Sequence, residues 1–138
     1  MDDASRLDDT ATVIDKRWYD CIAEGIRRKR VGDDEGTTWV LLLDAERVPV
    51  VGMAIAPDDV EPADPAWDGL AHIIEDVDPP AVVLAVTRRD GEPRAADHRA
   101  WEAMRARLAG LRPELLDLIV VGGRSWWAVV AGRDDLAA

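Results

Sequence analysis

Ala81-Val-Val-Leu-Ala-Val86 is apolar at every position, alternate residues included. A strand built from it therefore buries both faces, which places it in the middle of a sheet covered by helices on each side. Pro79-Pro80 before it and Arg88-Arg89 after it fix its ends. The expected class is α/β, with a mixed β-sheet in a three-layer α-β-α arrangement.

The neighbouring segments fit that frame. Downstream, an Arg-rich loop with Gly91 and Pro93 leads to Trp101, Met104, Leu108 and Leu111, a helical stripe with Gly110 near its end. Residues 116–121 and 125–130 read as the last two strands, joined at Gly122-Gly123. Upstream, Asp64 stands where it would cap a helix whose first turn holds Pro65 and whose apolar stripe is Trp67, Leu70, Ala71, Ile74 and Val77. Before it, Trp39-Val-Leu-Leu-Leu43 and residues 48–56 flank the polar Asp44-Ala-Glu-Arg47 as a hairpin, and Pro49 points to a second strand that starts irregularly or lies near an edge.

A leading helix over about 13–30 carries Ile14, Trp18, Cys21, Ile22 and Ile26, with Arg27-Arg-Lys-Arg30 at the negative end of its dipole. The segment 32–36 reads as a loop. The element order is α-β-β-α-β-α-β-β, a single domain over residues 13–138 after a mobile acidic tail over 1–12.

Composition bounds the rest. The 138 residues are 48% hydrophobic, enough for one core. A lone Cys21 excludes an internal disulfide and a Cys-rich zinc site, and fits a reducing compartment. The N-terminus lacks a basic-then-apolar leader, and the longest apolar runs are strand-length, so the cytoplasm is the expected location. The net charge of −11 argues against nucleic acid and anionic membrane as direct partners. The charge is also polarised: residues 57–79 hold eight acids and no Lys or Arg, whereas residues 88–107 hold six Arg against four acids.

Three stretches in this order resemble the RadC-like branch of the JAB/MPN metalloprotease family over roughly residues 37–131. They are Trp39-Val-Leu-Leu-Leu-Asp44 with its hairpin, Ala81-Val-Val-Leu-Ala-Val86 running into Gly91-Glu-Pro93, and Leu115-Leu-Asp-Leu-Ile-Val-Val-Gly122. The resemblance implies the JAB/MPN form of a deaminase-like three-layer fold. Active members of that family carry a His-x-His pair after the central strand, then seven residues, a Ser, two more residues and an Asp, with a Glu from the early hairpin. Such a set holds zinc, leaves a position open for water and supplies a general base.

Anchoring on Gly91-Glu-Pro93 puts the His positions on Val86 and Arg88, the Ser on Ala96 and the Asp on Arg99, with the Glu near Met53. All five are substituted. Val and Ala offer no donor, and Arg brings a permanent positive charge where a dication would sit. The resemblance thus implies a degenerate, non-catalytic domain with no metal and no cofactor. Its expected role is protein interaction or scaffolding, through a protein partner or a homodimer.

Other readings stay open from the residues themselves. Asp90, Glu92, Asp97 and His98 in the same loop, with His72 from the preceding helix, are the candidates for a rearranged metal site and a surviving hydrolase. Arg88, Arg89, Arg94 and Arg99 near a helix start form a possible anion or peptide site, or pair with Asp90, Glu92, Asp97, Glu102 and the acidic segment over 57–79. Trp126-Trp127 sends one ring to each side of its strand, so one of them is a candidate partner contact. Cys21 reads as a small buried side chain rather than a nucleophile. Ser125 lacks a nucleophile-elbow pattern, and the glycines fit neither a P-loop nor a dinucleotide fingerprint.

Overall fold

The computed structural model describes residues 15–29, 37–57, 65–88 and 90–133. The acidic tail, Ile14, the 32–36 loop, the Asp64 cap, Arg89 and the side chains of Met53 and Trp67 lie outside the described residues.

The chain runs α1 (Lys16–Lys29), β1 (Thr37–Leu43), β2 (Pro49–Pro57), α2 (Pro65–Val77), β3 (Ala81–Thr87), α3 (Ala95–Leu108), β4 (Glu114–Val121), β5 (Trp126–Ala128) and β6 (Gly132–Arg133). The strands form one mixed sheet in the order β2-β1-β3-β4-β5-β6. Only β3 and β4 are parallel, joined by the α3 crossover; every other neighbouring pair is antiparallel.

All seven residues of β3 are buried, as its two-sided apolar pattern requires. The pleat sends its alternate residues to two cores. Val82, Leu84 and Val86, with Val40, Leu42, Leu118 and Val120, pack against α2 and α3. Ala81, Val83 and Ala85, with Leu41, Leu43, Ile119 and Val121, pack against α1. The molecule is therefore α/β in three layers, with one helix on one face and two on the other. Each large aliphatic side chain so buried contributes about 1.5–3 kcal/mol.

Each helix buries a narrow stripe. In α1 it is Tyr19, Ile22, Ala23 and Ile26; in α3 it is Ala100, Trp101, Met104 and Leu108. Two expectations are corrected here. Cys21 is exposed, because it stands one position to the side of the buried α1 stripe. Val77 is 56% exposed, and among the described side chains of its helix Leu70 and Ile74 are the ones fully inside.

The last strand is also shorter than the apolar run over 125–130 suggested. It stops at Ala128, a turn follows, and two residues return as β6. The cause is Asp117 of β4, whose carboxylate accepts hydrogen bonds from the Val130 and Ala131 N–H groups and pulls the chain over. Gly132 at φ 90° completes the turn. The hairpin between β1 and β2 is fixed in a similar way: Asp44 Oδ1 accepts from the Glu46 and Val48 N–H groups.

Candidate functional site

In an open sheet, the loops at the carboxyl ends of parallel strands are the usual place for chemistry. Here those ends are Thr87-Arg88 after β3 and Gly122 after β4, with the start of α3 between them. Arg88 is only 2% exposed. Its Nη1 and Nη2 bond Asp97 Oδ2 and Oδ1 at 2.9 and 2.6 Å, and Nη1 also bonds the Glu92 carbonyl at 2.8 Å. Asp97 in turn accepts the Arg94 N–H at 2.7 Å, the reciprocal half of a capping box at the start of α3.

A fork-to-fork pair buried at both ends is held by geometry and satisfied lone pairs, and breaking one member leaves an uncompensated charge. It fastens the loop over residues 90–94 to both β3 and α3. The loop is tight on its other side as well. Gly91, at φ 67°, lies so close to Gly122 that a Cβ on Gly122 would come within 2.8 Å of the Gly91 Cα. Arg27 of α1 closes the cluster by donating from Nε to the Gly122 carbonyl and from Nη2 to the Ser125 carbonyl.

The residues singled out from the sequence scatter around this cluster. Val86 is buried, facing the α2 and α3 layer. Ala96 is half-buried and Arg99 exposed, both on α3. Met53 stands in β2 opposite Val40, which is itself opposite Leu84, so its backbone is level with the middle of β3 and not with Arg88. Arg94 lies 3.9 Å from Asp90, and Arg105 lies 3.6 Å from Glu102. Arg88, the residue best placed to receive an anion, is committed to Asp97.

The metal-ligand types in this region are dispersed too. His98 is exposed with its ring edge-on to Trp127 at 5.4 Å, Asp97 is buried, and His72 sits on α2. Among the described residues, no three His, Cys, Asp or Glu side chains stand where they could hold a metal ion. Trp126 is buried and stacked on Tyr19 at 4.8 Å, with Nε1 bonded to Asp20; Trp127 is half-buried against the α2 and α3 core.

A second polar centre lies beneath α1. Asp117 is fully buried in β4 and accepts the Tyr19 hydroxyl at 2.6 Å, the Leu118 and Val130 N–H groups at 2.8 and 2.9 Å, and the Ala131 N–H at 3.2 Å. Burial pushes the Asp117 carboxyl above its usual range, against the pull of those four donors. The Tyr19 hydroxyl is also raised, first by burial and then by its bond to Asp117. The opposite shift occurs at Asp20, which the Trp126 and Lys16 hydrogen bonds hold low. This centre did not emerge from motif spacing. Its one signal was an acid inside the apolar run over residues 115–121.

A groove runs between α1 and the β1–β2 hairpin. A cavity of about 510 Å³ lined by Trp18, Cys21, Arg47, Val48 and Pro49 meets a smaller one of about 130 Å³ that reaches Ile26 and Leu41. Trp18 Nε1 donates to the Arg47 carbonyl at 2.8 Å across one end. No helix among the described residues is long and apolar enough to cross a membrane.

With that geometry in place, comparison with known proteins adds no relative. No protein-family model matches the chain, and no curated protein is similar to it.

Proposed function

We propose that the chain is a non-catalytic protein-interaction or scaffold domain of the cytoplasm, on a degenerate JAB/MPN-like frame of the RadC kind. The observation that carries this reading is the buried Arg88–Asp97 pair. Arg88 is the residue that the resemblance puts at a zinc-binding His, and it is fixed there at 2% exposure by two bonds to Asp97. A guanidinium in that place opposes a dication, and its carboxylate partner is unavailable as a ligand or general base. What remains for function is surface, which favours association over chemistry.

Two measurements test the proposal. Elemental analysis of protein purified without chelator is expected to find no stoichiometric zinc, and zinc at one per chain would overturn the non-catalytic reading. Affinity purification from the native host is expected to recover a defined protein partner at constant ratio, and recovery of the chain alone would overturn the interaction reading.

A further inference from the structure

We propose that the groove between α1 and the β1–β2 hairpin binds a small amphipathic carboxylic acid, one with a single unbranched hydrocarbon tail. This site stands apart from the Arg88–Asp97 pair and adds a small-molecule ligand to the interaction reading.

The shape of the opening selects the tail. Its outer part, about 510 Å³, is the size of a small-molecule site, for which about 300–1,000 Å³ is usual. Its inner part, about 130 Å³, runs between α1 and β1 past Ile26 and Leu41, which are only 1% and 3% exposed. The space exists because Cys21 and Gly25, one turn apart on α1, are small: a Cβ built on Gly25 meets nothing within 4 Å. A slot of that volume admits a hydrocarbon chain and excludes a helix or a strand. Among the described residues, the Cys21 thiol is the one side chain lining it that is not hydrocarbon. A polar group entering there would lose water and gain no partner.

The mouth selects the head group. Asp15, Arg17 and Arg47 line the outer part together with the apolar Trp18, Val48 and Pro49. Asp15 is already engaged, since its Oδ1 accepts the Trp18 N–H at 3.1 Å where α1 begins. Arg47 bonds Glu114 at 3.0 Å through Nη2, and its Nε is buried with no hydrogen-bond partner. Arg17 is exposed, and its guanidinium makes no ion pair or hydrogen bond among the described residues. α1 as a whole carries five basic residues against two acids, a positive helix on a chain of net charge −11. A guanidinium beside an apolar slot fits a carboxylate whose tail enters the slot. A cationic head would be repelled there, and a neutral one would leave Arg17 without a counter-charge.

Cys21 lines both parts of the groove and is the one cysteine of the chain, so its alkylation by iodoacetamide reports on this site alone. Decanoate, kept below its micelle concentration, is expected to slow that alkylation at least tenfold at saturation and to raise the melting temperature. Decyltrimethylammonium has the same tail and the opposite charge, and is expected to need at least tenfold higher concentration for the same protection. Acetate, a head without a tail, is expected to protect nothing. Arg17→Glu is expected to weaken decanoate binding at least tenfold. Gly25→Leu adds hydrocarbon where there is open space and favours the helix, so it is expected to keep the circular dichroism spectrum and still weaken binding at least tenfold.

Equal protection by decanoate and the ammonium, protection by acetate, or decanoate binding unchanged in either variant would each overturn the proposal. So would a thiol that reacts only after unfolding, because the groove would then be closed in the native protein. Phosphatidylglycerol vesicles are expected to leave the alkylation rate unchanged. Protection by them would assign the groove to a membrane surface and overturn its assignment to a free acid.

Discussion

Asp117 joins three parts of the chain that are distant in sequence. Its carboxylate takes the Tyr19 hydroxyl from α1, the Leu118 N–H from its own strand, and two N–H groups from the turn before β6. Among the described residues no Lys or Arg side chain lies within ion-pair distance of it, so four hydrogen bonds alone balance the loss of water. Asp117→Ala deprives the buried Tyr19 hydroxyl and Leu118 N–H, and the part-buried Val130 and Ala131 N–H groups, of this acceptor, and is expected to cost about 3 kcal/mol or more. The readout is a fall in the midpoint of chemical denaturation.

Its pH dependence has a definite sign. The folded carboxyl titrates above its unfolded value because it is buried. Its contribution to stability is therefore fully present below the unfolded pKa and is lost as pH rises through the folded one. Relative to Asp117→Asn, the natural protein is expected to lose stability on going from strong acid toward neutrality. An unfolding free-energy difference that stays flat across that range would contradict the assignment.

Among the connecting segments, the contact between Gly91 and Gly122 decides how the β3–α3 loop sits on the β4–β5 loop. A methyl group at 122 would press on the Gly91 backbone at 2.8 Å, and backbone, unlike the end of a long side chain, moves only if the whole loop moves. Gly122→Ala is expected to destabilise the fold by about 1–3 kcal/mol. It should also raise amide exchange in residues 90–94 more than in the β3 core. Uniform change across both would show that the two glycines are not a local fastening.

The same elements show where the sequence was readable. β3, with seven buried residues, follows from period and polarity alone, and so do Trp101, Met104 and Leu108 of α3, whereas of the buried α1 stripe the sequence pattern picked out Ile22 and Ile26 and passed over Tyr19 and Ala23. Pro49 pointed to an irregular start or an edge for β2 because it lacks an N–H, and β2 has both, a register shift at Val50 and a place at the end of the sheet. The turn that shortens the last strand was not readable, because local propensity at residues 125–130 favours extension and the opposing force comes from Asp117 across the sheet. The Arg88–Asp97 pair lay between: both residues were visible nine positions apart, but their commitment to each other depends on the loop fold. Cys21 and Val77 were misplaced because a helical stripe predicts a face, while the width actually covered depends on the neighbours.

For the molecule as a whole, the net charge of −11 opposes compaction, and most ion pairs among the described residues sit at the surface. Lys16–Asp20 and Arg112–Asp78 are typical, with side chains at 40% and 46%, and at 61% and 49%, exposure. Exposed pairs of this kind contribute about 0–1 kcal/mol each and weaken in salt. Arg88–Asp97, shielded at 2% exposure, is insensitive to it. The repulsion among unpaired acids is long-range and is screened over about 10 Å at 0.1 M ionic strength. The two effects have opposite signs, and the excess of acids over bases decides between them. Added sodium chloride, from a few tens of millimolar to a few hundred at pH 7, is therefore expected to raise the melting temperature by several degrees. Asp76→Asn, which removes an acid that makes no ion pair among the described residues, should raise the low-salt melting temperature and reduce its response to salt. A melting temperature that falls with salt would instead mean that the surface pairs outweigh the repulsion.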